Sequence, residues 1–300
     1  MKFHTGELAV QRRAGAEPEA ARNGVGIHAQ IPLPAYYFLQ QRRFAFVGFT
    51  DQTGRVWCSV VTGEPGFLQV VGPEKLVVQV SENADPLLLH HLEAEQDLGL
   101  LVIDFATRRR MRFNGKAQLD AGKIMLRTAE VFGNCPRYIQ MRTITDPTKP
   151  VSSTQTRTAS ERLQPSQTEL IAKSDTFFIA SAFNETGADV SHRGGMPGFV
   201  QALDSSLIAC PDYDGNKMFQ TLGNLSVNSA AGLLFLDFDS GDTLQLTGTT
   251  EILWDEDAIR SFPGAQRLIR FHIEQVIAIS NAVPFTWKLL EYSPFNPAQK

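Results

Sequence analysis

Two short words in the second half of the chain combine residue types that grip an anion. In Ser191-His192-Arg193-Gly194-Gly195 a hydroxyl, an imidazole and a guanidinium precede a glycine pair. An arginine offers a phosphate a two-pronged fork of donors, and glycines let a ligand approach the backbone closely. Further on, Asp214-Gly215-Asn216-Lys217 reads as a helix start, where free amide N–H groups and the positive end of the helix dipole attract negative charge. Lys217 adds a point charge there, and Thr221 and Asn224 add neutral hydrogen bonds. The combination favours a phosphate. Short Arg and Gly clusters also occur as surface ion pairs and turns, so spacing alone leaves that plainer reading open.

Other residues carry weaker signals. Arg108, Arg110 and Arg112 alternate along a β-like run and therefore share one face, which suits either an anionic substrate or a solvated strand surface. His90-His91 neighbours Glu93 and Glu95, but adjacent helix positions do not face one another, so no metal site is expected. Cys58, Cys135 and Cys210 are far apart and form no C-x-x-C pair, which suits a reducing compartment; Cys135 has no resolving partner nearby and reads as structural. Trp57, Trp254 and Trp287 could stack on a ring ligand, yet read first as core. No residue declares itself catalytic. The words G-x-S-x-G, H-E-x-x-H, G-x-G-x-x-G and the phosphate-binding loop of nucleotide hydrolases do not occur, leaving hydrolase, nucleotide-hydrolase and Rossmann readings unsupported.

The elements that must position these residues come as one unit written twice. GLLVIDF at 99–105 and GLLFLDF at 232–238 agree at five of seven places with an offset of 133, and PGFLQVV at 65–71 matches PGFVQAL at 197–203 with an offset of 132. Phe44 to Phe49 then aligns with Phe177 to Ala182. Each copy opens with a helical stretch, 31–41 or 166–173, and continues through about six apolar β runs, which argues for a small closed barrel. The fold class is mainly β with peripheral helices, as two tandem barrels. The organisation reads as an N-terminal arm at 1–26, a first barrel at 27–144, a polar proline-bearing linker at 145–165 and a second barrel at 166–300.

The copies differ where the anion words stand. Opposite Ser191, His192 and Arg193 the first copy aligns Cys58, Ser59 and Val60, and Asp85 falls near the place of Lys217. One copy thus keeps an anion site and the other is degenerate. Composition sets outer bounds. With 28 basic and 32 acidic residues the net charge is −4, which offers nucleic acid no general footprint. No apolar run approaches the roughly 18 residues that span a bilayer, and no apolar leader follows the first basic residues, so a cytoplasmic protein without membrane attachment is expected.

The words SHRGGMPGF at 191–199, GNKMFQTLGNL at 215–225 and NSAAGLLFLDF at 228–238 resemble the pyridoxamine 5'-phosphate oxidase-like FMN-binding split barrels. FHTGE at 3–7 and NCPRYIQ at 134–140 are similar to a tandem-barrel branch of that family with largely unassigned substrates. The resemblance implies FMN held between two barrels. It places Arg193 and Lys217 on the phosphate, with Ser191, His192, Gly194, Asn216, Thr221 and Asn224 around phosphate, ribityl chain or ring. Arg110 and Arg112 would face a small-molecule substrate. The implied function is an oxidoreductase passing hydride or electrons through the flavin, with NADH or NADPH as a donor. The alternative is a non-catalytic flavin carrier or sensor, or a haem binder using His192. Ordinary members are homodimers with two sites; this chain, carrying both barrels, implies one site in a monomeric pseudo-dimer or a homodimer of such chains.

Overall fold

The computed structural model describes residues 3–81, 84–145, 155–184 and 186–298. Two short helices, α1 (Thr5–Arg13) and α2 (Glu17–Gly24), form the arm. The first half continues with α3 (Leu33–Gln40), β1 (Phe44–Thr50), β2 (Val56–Thr62), β3 (Leu68–Gly72), β4 (Lys75–Gln79), α4 (Pro86–His91), β5 (Gln96–Asp104), β6 (Arg109–Asp120) and β7 (Lys123–Asn134). After β8 (Met141–Ile144) and β9 (Arg157–Ser160) the plan repeats as α5 (Pro165–Lys173), β10 (Thr176–Phe183), β11 (Gly187–Gly194), β12 (Gln201–Ala202), β13 (Leu207–Asp212), α6 (Gln220–Val227), β14 (Ala230–Leu236) and β15 (Thr243–Leu253). It closes with α7 (Glu256–Ile259), β16 (Arg267–Ile279) and β17 (Trp287–Glu291), the last pairing with β8.

The two sheets have one topology. The first runs β2-β1-β5-β6-β7-β4-β3 and the second β11-β10-β14-β15-β16-β13-β12, so each strand of one copy has a counterpart in the other. Part of the linker, 146–154, lies outside the described residues, and Arg157–Ser160 forms β9 along β16. The fold is two split β-barrels with peripheral helices.

The runs at 99–105 and 232–238 are apolar throughout because they serve two cores at once. Alternate residues of a strand point to opposite faces. Leu98, Leu100 and Val102 enter the core of the first barrel, whereas Leu101, Ile103 and Phe105 join a third core between the barrels. Likewise Ala231, Leu233 and Phe235 fill the second barrel, and Leu234 and Leu236 face the first. At the centre of this seam Phe46 and its counterpart Phe178 stack with ring centroids 3.4 Å apart. Backbones close in on either side: a Cβ on Gly99 would stand 2.7 Å from Asp189 Cα, and one on Gly232 would stand 2.7 Å from Trp57 Cα.

Strand register corrects the sequence alignment by one residue. Gly48 lies opposite Gly99 and Cys58, while Ala180 lies opposite Gly232 and Val190. Counterparts in the first strands are therefore 132 apart, not 133. Ser59 matches Ser191, Val60 matches His192 and Val61 matches Arg193. The phenylalanines that suggested the other alignment occupy successive positions, and a slip of one residue moves every side chain to the wrong face.

Candidate functional site

A cleft of about 730 Å³, counting space open to solvent, lies between the barrels. The first barrel supplies Arg110 and Arg112 from β6 and the segment after β7; the second supplies Ser191, His192, Arg193 and Gly194 from β11 and the chain from Pro211 to Leu222. Strand alternation explains part of this convergence, because Arg110 and Arg112 emerge on the same face of β6. Arg193 and Lys217, separate in sequence, line the same cleft. A Cβ on Gly194 would lie 2.0 Å from the carbonyl oxygen of Tyr138, so only glycine admits the first barrel this closely.

The segment expected to bind an anion is built differently from the helix start expected at 214–217. β13 ends at Asp212, and Lys217 and Phe219 adopt left-handed backbone (φ 62° and 63°), which a continuing helix forbids. The helix begins at Gln220 with no side chain capping it. Two non-glycine residues in this region cost about 1 kcal/mol or more each, so the surrounding structure must hold them there. Among the described residues, the N–H groups of Lys217, Phe219, Gln220 and Thr221 find no acceptor.

The cleft carries more positive charge than its acids neutralise. Arg112 pairs with Asp189 at 2.8 Å and donates to Ser191 Oγ at 2.6 Å. Arg193 and Arg267 share Asp212, both at 2.8 Å, while Arg137 and Lys217 share Asp214. Arg110 pairs with no carboxylate among the described residues: it donates to the Cys135 carbonyl at 3.0 Å and to His192 Nδ1 at 2.9 Å. Six cations thus meet three carboxylates. Burial, with the neighbouring charges of Arg112 and Arg193, brings the Arg110 pKa down to about 10. It remains charged at neutral pH.

His192 is fixed as a neutral imidazole. Burial first, then the positive charge of Arg110, Arg142, Arg193 and Arg112, holds its pKa well below the usual histidine value. A guanidinium can only donate, so Nδ1 accepts from Arg110 and the proton resides on Nε2, which is buried and has no partner among the described residues. Arg193 Nε is likewise buried without an acceptor.

Not every residue singled out in the sequence joins the cleft. Asn224 lies farther along α6, buried, with Nδ2 donating to Ser181 Oγ at 3.0 Å, and it does not line the cavity. Arg108 precedes β6 in left-handed backbone and pairs with Glu291. None of the three tryptophans lines the cleft; Trp254 is flanked by Arg13 and Arg267. Conversely, Asn134, Cys135, Tyr138 and Tyr213 do line it. Both polar atoms of the Asn134 amide are buried and unpartnered, and the Cys135 sulfur stands 4.0 Å from Arg110. The word NCPRYIQ was the only signal for Asn134, Cys135 and Tyr138, since it carries no charge pattern that declares a site, and Tyr213 carried none.

The counterpart cleft on the other side of the seam has opposite chemistry. Thr243 and Gln245 of β15 take the places of Arg110 and Arg112, and Gln245 Nε2 donates to Ser59 Oγ at 3.1 Å as Arg112 does to Ser191. Asp85 caps α4 and accepts from Leu87 N, Ser59, Gln245 and Arg157. A carboxylate of the chain occupies the helix start that α6 leaves uncapped.

Residues 163–282 match the family model described as pyridoxamine 5'-phosphate oxidase. No curated protein matches the sequence. Among solved structures, a candidate pyridoxamine 5'-phosphate oxidase from Lactobacillus delbrueckii aligns at 20% identity over 39% of this chain and 94% of its own, with a TM-score of 0.33. HupZ of Group A Streptococcus aligns at 15% identity over 37% and 90%, TM-score 0.31. An FAD-binding protein of Mycobacterium smegmatis aligns at 9% identity over 40% and 98%, TM-score 0.29. These likenesses are distant, and the weight rests on the family match, whose span includes all the second-barrel residues of the cleft. Over residues 163–282, which make up most of its second barrel, the chain is similar to the pyridoxamine 5'-phosphate oxidase family.

Proposed function

We propose that the cleft binds a flavin, specifically FMN, and that the chain is a flavin-dependent oxidoreductase acting on a small anionic molecule. The observation that carries this reading is the uncompensated positive charge of the cleft beside a backbone turned so that its amides lack acceptors. A phosphate dianion supplies both the missing charge and the missing acceptors. The family match and the flavin-binding protein among the structural likenesses agree with a flavin, while FMN and the redox role belong to this proposal.

In this reading Arg193, Lys217 and the amides of Lys217, Phe219, Gln220 and Thr221 hold the phosphate, with Ser191 and Thr221 completing its hydrogen bonds. A bound flavin supplies the hydride or electron chemistry, for which no acid and base pair is needed from the protein. His192 offers an Nε2–H as a neutral donor; it has no proton to release as an acid near pH 7. Arg110 anchors negative charge on the ligand or substrate, and Arg112 holds Asp189 and Ser191 in place across the seam. NADH or NADPH serves as the donor, and one chain provides one complete site.

An absorbance spectrum of purified protein titrated with FMN tests this directly. One flavin per chain, bleached by NADH or NADPH and reoxidised by a small-molecule acceptor, is the expected result. Flavin that binds but cannot be reduced would assign the protein to carriage or sensing, and a Soret band would assign it to haem.

A further inference from the structure

The N-terminal arm touches the anion-binding segment through two side chains. Gln11, 2% exposed on α1, donates from Nε2 to the carbonyl of Met218 at 2.9 Å. Asn23, on α2, donates from Nδ2 to the carbonyl of Asn216 at 2.7 Å. Both peptide units are trans, and in a trans peptide the C=O and the following N–H point to opposite sides of one plane. Tying the carbonyls of residues 216 and 218 to the arm therefore turns the N–H groups of Lys217 and Phe219 away from it. These are the two left-handed residues, and both line the cleft.

Packing reinforces the two bonds. Met218 is buried with Ile27 and Phe132, against Phe3 of the arm. α1 lies so close on α6 that a Cβ on Gly6 would stand 2.3 Å from the Gly223 carbonyl, and one on Gly223 would stand 2.7 Å from Glu7 Cα. The arm is thus seated on the helix that opens the site.

We infer that the arm is a clamp for the phosphate-binding backbone, with Gln11 and Asn23 as positioning residues that aim the amides of Lys217 and Phe219 into the cleft. The ligand group they serve is a phosphate, in keeping with the proposed FMN site on which this inference rests. Neither side chain lines the cleft. Their effect passes through peptide planes, and it should distinguish ligands that differ only in the phosphate.

The test compares FMN with riboflavin on full-length protein carrying Gln11→Leu or Asn23→Ala, by quenching of flavin fluorescence, together with amide hydrogen exchange on the unliganded protein. Each variant should raise the Kd for FMN about fivefold to tenfold, the effect of one lost hydrogen bond. Riboflavin binding should stay within twofold, and exchange of the Met218 amide, which donates to Asn216 Oδ1 at 3.1 Å within the clamped segment, should accelerate while the β-sheet amides keep their protection. Equal losses for FMN and riboflavin, or unchanged exchange of the Met218 amide, would overturn the inference. If Gln11→Leu does not fold, Asn23→Ala decides alone, since Asn23 is exposed. If the wild-type protein binds neither flavin, the flavin reading fails, and exchange of the Met218 amide still decides whether the arm holds this segment.

Discussion

Arg110 and Arg112 leave the same face of β6, yet their replacement should have opposite consequences. Arg112 neutralises Asp189, which is 3% exposed, at 2.8 Å. Arg112→Met would leave that carboxylate buried without a countercharge, keeping only the neutral Asn114 amide at 3.0 Å, a loss of about 3–5 kcal/mol of folding stability. Arg110 has no carboxylate to abandon; Arg110→Met gives up neutral acceptors, Cys135 O and His192 Nδ1, and relieves the crowding of buried positive charge. Its folding stability should stay within about 1 kcal/mol of wild type. Its ligand affinity should not: a charge-assisted hydrogen bond to an anion contributes about 1.5–3 kcal/mol, or roughly 10- to 150-fold in Kd. The same change should raise the His192 pKa, since Arg110 is the largest charge depressing it. Urea melts, FMN titration and the imidazole resonances of His192 followed against pH read the three effects. An Arg110→Met protein as unstable as Arg112→Met, or one that binds FMN as wild type does, would refute the assignment of Arg110 as the uncompensated cation.

Two further outcomes follow from buried carboxylates. Burial raises the pKa of Glu7 from its ordinary 4.5 to about 8, so the folded state favours the protonated acid more than the unfolded chain does. Its contribution to stability is full below about pH 4.5 and is lost as pH rises toward 8, with a slope of at most about 1.4 kcal/mol per pH unit; Glu7→Gln should flatten that part of a stability profile measured by urea melts. Asp85→Asn, which keeps the shape but removes the charge that accepts from Ser59, Gln245 and Arg157, should cost about 1–3 kcal/mol of stability without changing the FMN Kd. A weakened Kd in that variant would show that the two clefts are not separate in kind.

The repeated apolar runs made the doubled architecture legible, because a strand buried on both faces has a composition that a half-exposed one cannot have. Arg193 and Lys217 do line one cleft, although short Arg and Gly clusters equally serve as ion pairs and turns, and both residues are also ion-paired here. What stayed hidden depended on backbone geometry and on distant contacts. Asp214-Gly215-Asn216-Lys217 looked like a helix start, but tertiary contacts hold Lys217 and Phe219 in left-handed backbone and delay the helix to Gln220. Asn224 has a residue type suited to a ligand, yet helical spacing turns it toward Ser181. Gln11 and Asn23 carry no local signal, since their role exists only once the arm folds back across about 200 residues of sequence.

Covalent linkage of the two barrels explains how one cleft became strongly positive. In a homodimer both interfacial clefts change together, so every added cation is repelled twice across a shared seam. Here β6 lends Arg110 and Arg112 to one cleft, and its counterpart β15 lends the uncharged Thr243 and Gln245 to the other. The helix start in the first cleft is closed by Asp85 and balanced by Arg157, whereas the start of α6 is left to Phe219, which has no acceptor to offer. Charge that a symmetric pair would have to distribute equally is concentrated on one side. The neutral cleft, lying across the same seam, adds no repulsion against it.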